Sequence, residues 1–188
     1  MSYFSMFSYA LLAGFAMSSA SVAQPLSFKC PAEGVVVTGT LGSTKYHGSD
    51  PADPAACKMT TVRGTESVVI YGRYASGILS SEARAVLDRF FSGQEKSVTI
   101  KFRSRNNNNE YVNTWTMVGW ESGEVAGRNF NAAKLEYEEK VVSGSYHGRW
   151  TYWLEPNIGL WLAGVYTHID GVVSNNTRDF RLQSITLP

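Results

Sequence analysis

The stretch Leu135–Ile169, LEYEEKVVSGSYHGRWTYWLEPNIGLWLAGVYTHI, decides the fold. It reads as consecutive antiparallel strands. From Lys134 to Val141, charged residues (Lys134, Glu136, Glu138, Lys140) alternate with Leu135, Tyr137 and Val141. Glu139 breaks the pattern. A period of two marks a half-buried strand. From Tyr146 to Leu154 the alternation returns. Tyr146, Trp150, Tyr152 and Leu154 lie on one face with Gly148 between them, and His147, Arg149, Thr151 and Glu155 lie on the other, joined by Trp153.

Burial selects the pairing of these two strands. A two-residue turn at Ser143-Gly144 places Tyr137 opposite Trp150, Leu135 opposite Tyr152 and Glu138 opposite Arg149. A three-residue turn slips the register by one and sets Glu138 and Glu136 against Trp150 and Tyr152. A slip exchanges the faces. Burying an unpaired carboxylate costs several kcal/mol, whereas a cross-strand aromatic pair contributes only about 0.2–1 kcal/mol. The two-residue turn is therefore expected.

A second turn is expected at Pro156-Asn157-Ile158-Gly159, where Pro cannot donate to a ladder and Asn and Gly suit a bend. Pairing Glu155 with Leu160 then sets Leu154 against Trp161, Trp150 against Val165 and Tyr146 against Ile169. The same register makes His147 and His168 neighbours.

Upstream, Gly34–Leu41 reads as a strand, His47–Ala56 as a loop (Gly48, Pro51, Pro54), and Thr60–Tyr71 as a strand interrupted at Gly64. Ser80–Gly93 is the one convincing helix. A serine caps it, Glu82 lies in its first turn, Ala83, Val86, Leu87, Phe90 and Phe91 share a face, and Gly93 stops it. Ser97–Arg103, Tyr111–Trp120 and Arg128–Val142 follow as strands. Asp170-Gly171 is a hairpin-type dipeptide, and Phe180–Leu187 closes the chain with a phase shift between Leu182 and Ile185 that reads as a bulge or a change of neighbour. The expected fold is mainly β: a single curved antiparallel sheet or open β-barrel of about eight or nine strands, with one helix packed on its concave face.

With 188 residues, 44% of them hydrophobic, the chain has enough material for one core. Residues 1–23 carry no Asp, Glu, Lys or Arg, and an apolar run from Tyr9 to Met17 precedes Ser21-Val22-Ala23. This is the pattern of a secretory signal peptide cleaved before Gln24, leaving residues 24–188 as a single β-rich domain, periplasmic or secreted. The apolar run is shorter than the ~20 residues a membrane span needs, and no transmembrane segment is expected in the mature chain. In an oxidising compartment Cys30 and Cys57 form a disulfide by default. Ser27-Phe28-Lys29 before Cys30 is not a lipobox. Asn106–Asn109 reads as a loop tip, and Asn175-Asn176-Thr177 as a sequon relevant only to eukaryotic secretion.

No catalytic motif is present: no H-E-x-x-H, G-x-S-x-G, P-loop or dinucleotide fingerprint. His147 and His168 with Glu138 or Glu155 lack a defined third metal ligand, and Glu136, Glu138 and Glu139 read as a solvated strand face. No metal, cofactor or catalytic residue is therefore assigned. The net charge of +1, with acids and bases interspersed, gives no nucleic-acid footprint. The feature with functional reach is the aromatic band Tyr137, Tyr146, Trp150, Tyr152 and Trp161. It reads as core or, on a concave wall, as the lining of a pocket for a hydrophobic or lipid-like ligand.

Two sets of residues carry a resemblance. Phe28-Lys29-Cys30-Pro31 with Asp50-Pro51-Ala52-Asp53-Pro54 and Cys57 resembles uncharacterised exported bacterial proteins. Glu124–Gly127 to Phe130, Lys134-Leu135, and Tyr152–Pro156 with Gly159 resembles periplasmic domains of unknown function, which look similar to the open barrels of lipoprotein-carrier proteins. The resemblance covers about half the chain. It implies compartment and fold and carries over no functional residue. The functional expectation is a soluble periplasmic or secreted protein, not an enzyme, that binds an apolar or amphiphilic ligand. The alternatives are an envelope interaction module, such as an enzyme inhibitor or assembly factor with a protein partner, or a hydrolase built on His147, His168 and Glu138.

Overall fold

The computed structural model describes residues 25–104, 107–172 and 179–188. The expected leader with its cleavage site and the Asn175 sequon lie outside them. Eleven strands and one helix follow in the order β1 (Val36–Gly39), β2 (Gly42–Asp50), β3 (Asp53–Thr61), β4 (Glu66–Ile70), β5 (Tyr74–Ala75), α1 (Ser81–Phe91), β6 (Ser97–Arg103), β7 (Glu110–Val125), β8 (Arg128–Val141), β9 (His147–Glu155), β10 (Leu160–Asp170) and β11 (Phe180–Thr186).

All eleven strands form one sheet in the order β5-β4-β3-β2-β1-β11-β10-β9-β8-β7-β6. It consists of two meanders, β1–β5 and β6–β11, joined where β1 pairs with β11. The sheet is strongly curled. In a flat sheet β5 and β7 would stand about 43 Å apart at ~4.8 Å per strand. Instead the Trp115 indole of β7 donates to the Tyr74 hydroxyl of β5 at 2.7 Å. The edge strands β5 and β6 do not pair, so the roll stays open along that seam. Tyr74 and Phe102 meet edge-on across it at 5.9 Å.

Helix α1 connects the two edges and packs on β6. Ser80 caps it by accepting from the Ala83 amide, and Ala83, Leu87, Phe90 and Phe91 are buried, as the helical spacing requires. Phe90 and Phe91 pack against Trp115 on the concave face. The Arg84 guanidinium holds Asp53 in a two-pronged ion pair that ties α1 to β3. A disulfide joins Cys30 to Cys57 of β3.

The β8–β9 register is the expected one: Tyr137 opposes Trp150, Leu135 opposes Tyr152 and Glu138 opposes Arg149. Between β9 and β10 the structure corrects the reading. Glu155–Leu160 and Leu154–Trp161 pair as expected, then a bulge at Leu162 shifts the ladder by one, so that Trp150 faces Tyr166 instead of Val165. Leu160 and Leu162 share a second apolar cluster with Ala132, Phe130 and Trp153 on the reverse face. The bulge exchanges the faces beyond Leu162, turning Gly164 and Tyr166 toward the aromatic band and Val165, 42% exposed, away from it. Gly164 then lies over Tyr152, where a Cβ would come within 2.7 Å of that ring. A second irregularity near Asp170 brings His147 opposite Asp170, not His168.

Two further readings are corrected. His47–Ala56 is not a loop but the hairpin end of β2 and β3, turning at Pro51-Ala52. Breaks in the ladder at Gly48 and around Pro54 absorb the residues that looked incompatible with strands. Thr60–Tyr71 is the junction of two antiparallel strands, β3 and β4. The shift in β11 is a bulge at Gln183, combined with a change of neighbour from β10 to β1.

Candidate functional site

The curl turns the concave face into a lumen. Strict alternation aims Leu135, Tyr137, Glu139 and Val141 of β8 inward, facing Trp150, Tyr152 and Leu154 of β9. All five residues of the expected aromatic band reach this face, but in two roles. Tyr137, Tyr152 and Trp161 are buried in the core, with Tyr137 and Trp161 each also lining a cavity. Tyr146 and Trp150 are half-buried and form a wall of a cavity of about 490 Å³. The Trp150 and Tyr152 rings stack at 5.5 Å, and Tyr152 meets Trp161 edge-on at 5.3 Å.

A charged side chain that sequence reasoning did not single out stands at the centre of this band. Arg73 leaves the tight turn between β4 and β5. The Arg73 amide donates to the Ile70 carbonyl, and the two central residues, Tyr71 and Gly72, have φ of 53° and 67°. Such a turn normally calls for Asn-Gly, and a bulky residue at positive φ is strained. The strain is held from several sides. The Tyr71 ring stacks on Phe91 at 4.2 Å, its hydroxyl donates to Asp88, and its carbonyl accepts from the Trp161 indole at 2.9 Å. At Gly72 a Cβ would stand 2.8 Å from the Trp161 indole nitrogen, so only glycine fits.

The turn projects Arg73 over the Tyr152 ring at 4.3 Å, with Tyr137 and Trp161 at 5.6 and 5.7 Å. One guanidinium nitrogen donates to the Tyr152 hydroxyl. Among the described residues no carboxylate lies within 4.0 Å of it. Arg73 nonetheless remains open to solvent, because it lines cavities on both sides. The second of these, about 460 Å³, lies between β1–β3 and Trp161, Phe180 and Leu182.

A chain of polar groups runs beside Arg73. The buried Asn113 amide donates to the Tyr137 hydroxyl, which donates to Glu139 at 2.6 Å. Burial pushes the Glu139 carboxyl above the ordinary range, against the opposing pull of the Tyr137 hydrogen bond and the Arg73 charge. Burial likewise pushes Tyr74 up to about 12 and raises Tyr137 and Tyr152 as well. Glu139 thus belongs to the lumen and not to the solvated face first assigned to it. Its break in the alternation of β8 was the available signal. Arg73 gave no comparable sign.

The solvated-face reading holds for Glu138, which accepts from Arg149 at 3.1 Å and pairs with His147 at 2.8 Å. The His147 contact, then that of Arg149, holds its carboxyl below the usual range. His147 and His168 do not meet. His168 lies near the Tyr166 hydroxyl instead, at 3.4 Å. Among the described residues no cluster of three His, Cys, Asp or Glu side chains is poised for a metal. A smaller groove of about 220 Å³ lies on the reverse face among Phe130, Trp153 and Leu162 and contains none of this polar machinery.

No family model and no curated protein matches the sequence. Solved structures do match. The hypothetical lipoprotein YmcC of Escherichia coli superposes with a TM-score of 0.52 at 14% identity, over 90% of this chain and 94% of that one. The two share a fold. A Parabacteroides distasonis protein provisionally described as a lipoprotein (TM-score 0.43, 14% identity, 87% of this chain and 100% of that one) is also similar. So is a provisionally described exported protein of Bacteroides fragilis with a YmcC-like fold (TM-score 0.42, 12% identity, 85% and 99%). Among the described residues no helix is long and apolar enough to cross a membrane.

Proposed function

We propose that the chain is an exported binding protein, acting in the periplasm or outside the cell, that holds an amphiphilic small molecule in the lumen of the curled sheet. One observation carries the reading: solvent-open cavities beside Arg73, walled by Tyr146, Trp150 and Trp161. Ligand sites are typically concave, largely apolar clefts of several hundred Å³ with a few polar groups that orient the occupant. The aromatic wall supplies the apolar surface, and Arg73 and Glu139 supply the orienting groups. The disulfide supports an oxidising compartment. The lipoprotein designation of YmcC, a protein of the same fold, points the same way.

Native mass spectrometry of the purified protein, before and after solvent extraction, tests this. A reproducible small-molecule adduct, lost on extraction and diminished in a folded Trp150→Ala variant, is expected. An empty protein that takes up no amphiphile would make the aromatic band simply core and return the weight to an interaction module with a protein partner.

A further inference from the structure

We infer that the cavity between β1–β3 and Trp161 receives the anionic head of an amphiphile, a carboxylate or a phosphate ester, and that Arg73 is the group that binds it. This inference rests on the binding reading above and narrows it to a ligand class.

Three observations converge. First, among the described residues the guanidinium is committed to the protein through a single hydrogen bond to Tyr152 and through ring faces. Ring faces offset its charge but accept few of its N–H groups, and among the described residues no carboxylate pairs with it. A planar fork with free donors matches a carboxylate or phosphate in two-pronged fashion. Second, the side chain is presented by a strained turn, fixed at Tyr71 and Gly72 by Phe91, Asp88 and Trp161. Strain of this kind persists where surrounding structure over-determines it, and it clusters at binding sites. Third, the charge of this cavity is one-sided. Arg63 and Arg73 line it, and no acidic side chain does.

The remaining walls suit a chain of methylenes. Val37, Trp161, Phe180 and Leu182 form the inner surface, and Leu41 and Val62 stand at the rim, 68% and 71% exposed. An anion seated on Arg73 leaves its tail running past Phe180 and Leu182 toward that rim. Glu139 faces the other cavity, where burial favours its neutral form and so limits its repulsion of an anion next door.

The test is a head-group series of equal chain length: dodecanoate, dodecyl phosphate, dodecanol and dodecyltrimethylammonium, titrated by calorimetry and tryptophan fluorescence. The two anions are expected to bind at least tenfold more tightly than the alcohol or the cation. Their ratio separates a fatty acid from a phosphate ester. Arg73→Gln is expected to abolish the preference while retaining weak binding of dodecanol, and Arg73→Lys to restore it in part. Equal affinity for all four heads would overturn the inference and leave the binding reading standing. Failure to bind any of them would overturn both. An anion preference that survives in a folded Arg73→Gln protein would remove Arg73 from the role. Should that variant not fold, a photoreactive dodecanoate on the wild-type protein decides: cross-links at Phe180 and Leu182 support the assignment, and cross-links confined to Tyr146 and Trp150 refute it.

Discussion

Glu139 and Arg73 illustrate how differently two lumen charges are written into a sequence. Glu139 interrupts a strict alternation, and a strand that keeps its period must aim it inward with Tyr137 and Val141. Arg73 sits in a turn and acquires its ring partners only when β9 and β10 curl beneath it, a long-range event with no local trace. Because burial raises the Glu139 carboxyl above its unfolded value, the folded protein keeps this proton after the unfolded chain has lost it. The stability tied to the neutral form is complete below the unfolded pKa and is lost as pH rises through the folded one. Glu139→Gln is therefore expected to gain stability relative to wild type at pH 8 and to lose that advantage at pH 4, read as urea midpoints at the two values. An equal difference at both would show a well-solvated carboxyl. At Gly72, Ala meets both a positive φ and the Trp161 indole. Gly72→Ala is expected to destabilise by about 1–3 kcal/mol in chemical denaturation, with a change in indole fluorescence as Trp161 gives way.

Strand pairing was legible wherever one face was clearly buried. The β8–β9 register followed from the cost of burying carboxylates, and α1 from its cap and apolar spacing. The reading failed where two faces were buried together. At β10, Leu160 and Leu162 serve the reverse-face cluster and Trp161 serves the lumen, and beyond the bulge the lumen side passes to Gly164 and Tyr166 while Val165 turns outward. A pattern apolar on both sides does not specify register. Leu162 is nearly fully buried at this bulge. Leu162→Ala is expected to cost about 2–5 kcal/mol and to loosen the β9–β10 ladder first, seen as faster hydrogen exchange at Val165 and Tyr166. Uniform loss of protection across the sheet would argue against a locally held register. Residues 47–56 failed for the opposite reason: glycine and proline punctuation concealed a hairpin whose ladder breaks accommodate them.

At the scale of the molecule, a mainly β sheet with one helix was readable from strand count and periodicity, but the central pairing of β1 with β11 was not, since nothing local couples the two ends. The disulfide braces one of these halves, clamping the segment before β1 to β3 across a separation of 27 residues. Reduction is expected to cost about 3–4 kcal/mol, measured as the shift in denaturation midpoint with and without reductant. No shift would mean that the loop is already ordered without its cross-link. The two-meander plan also governs the order of assembly. Each half can zip from its own hairpins, yet neither can be sealed to the other until β11 arrives, through contacts such as Arg181 to Thr40 that span 141 residues. Such late, distant closure predicts slow folding and a half-built sheet whose β1 edge stays bare. During synthesis this open edge would be the species that a chaperone must shield, and β11 acts as a latch that ends the exposure.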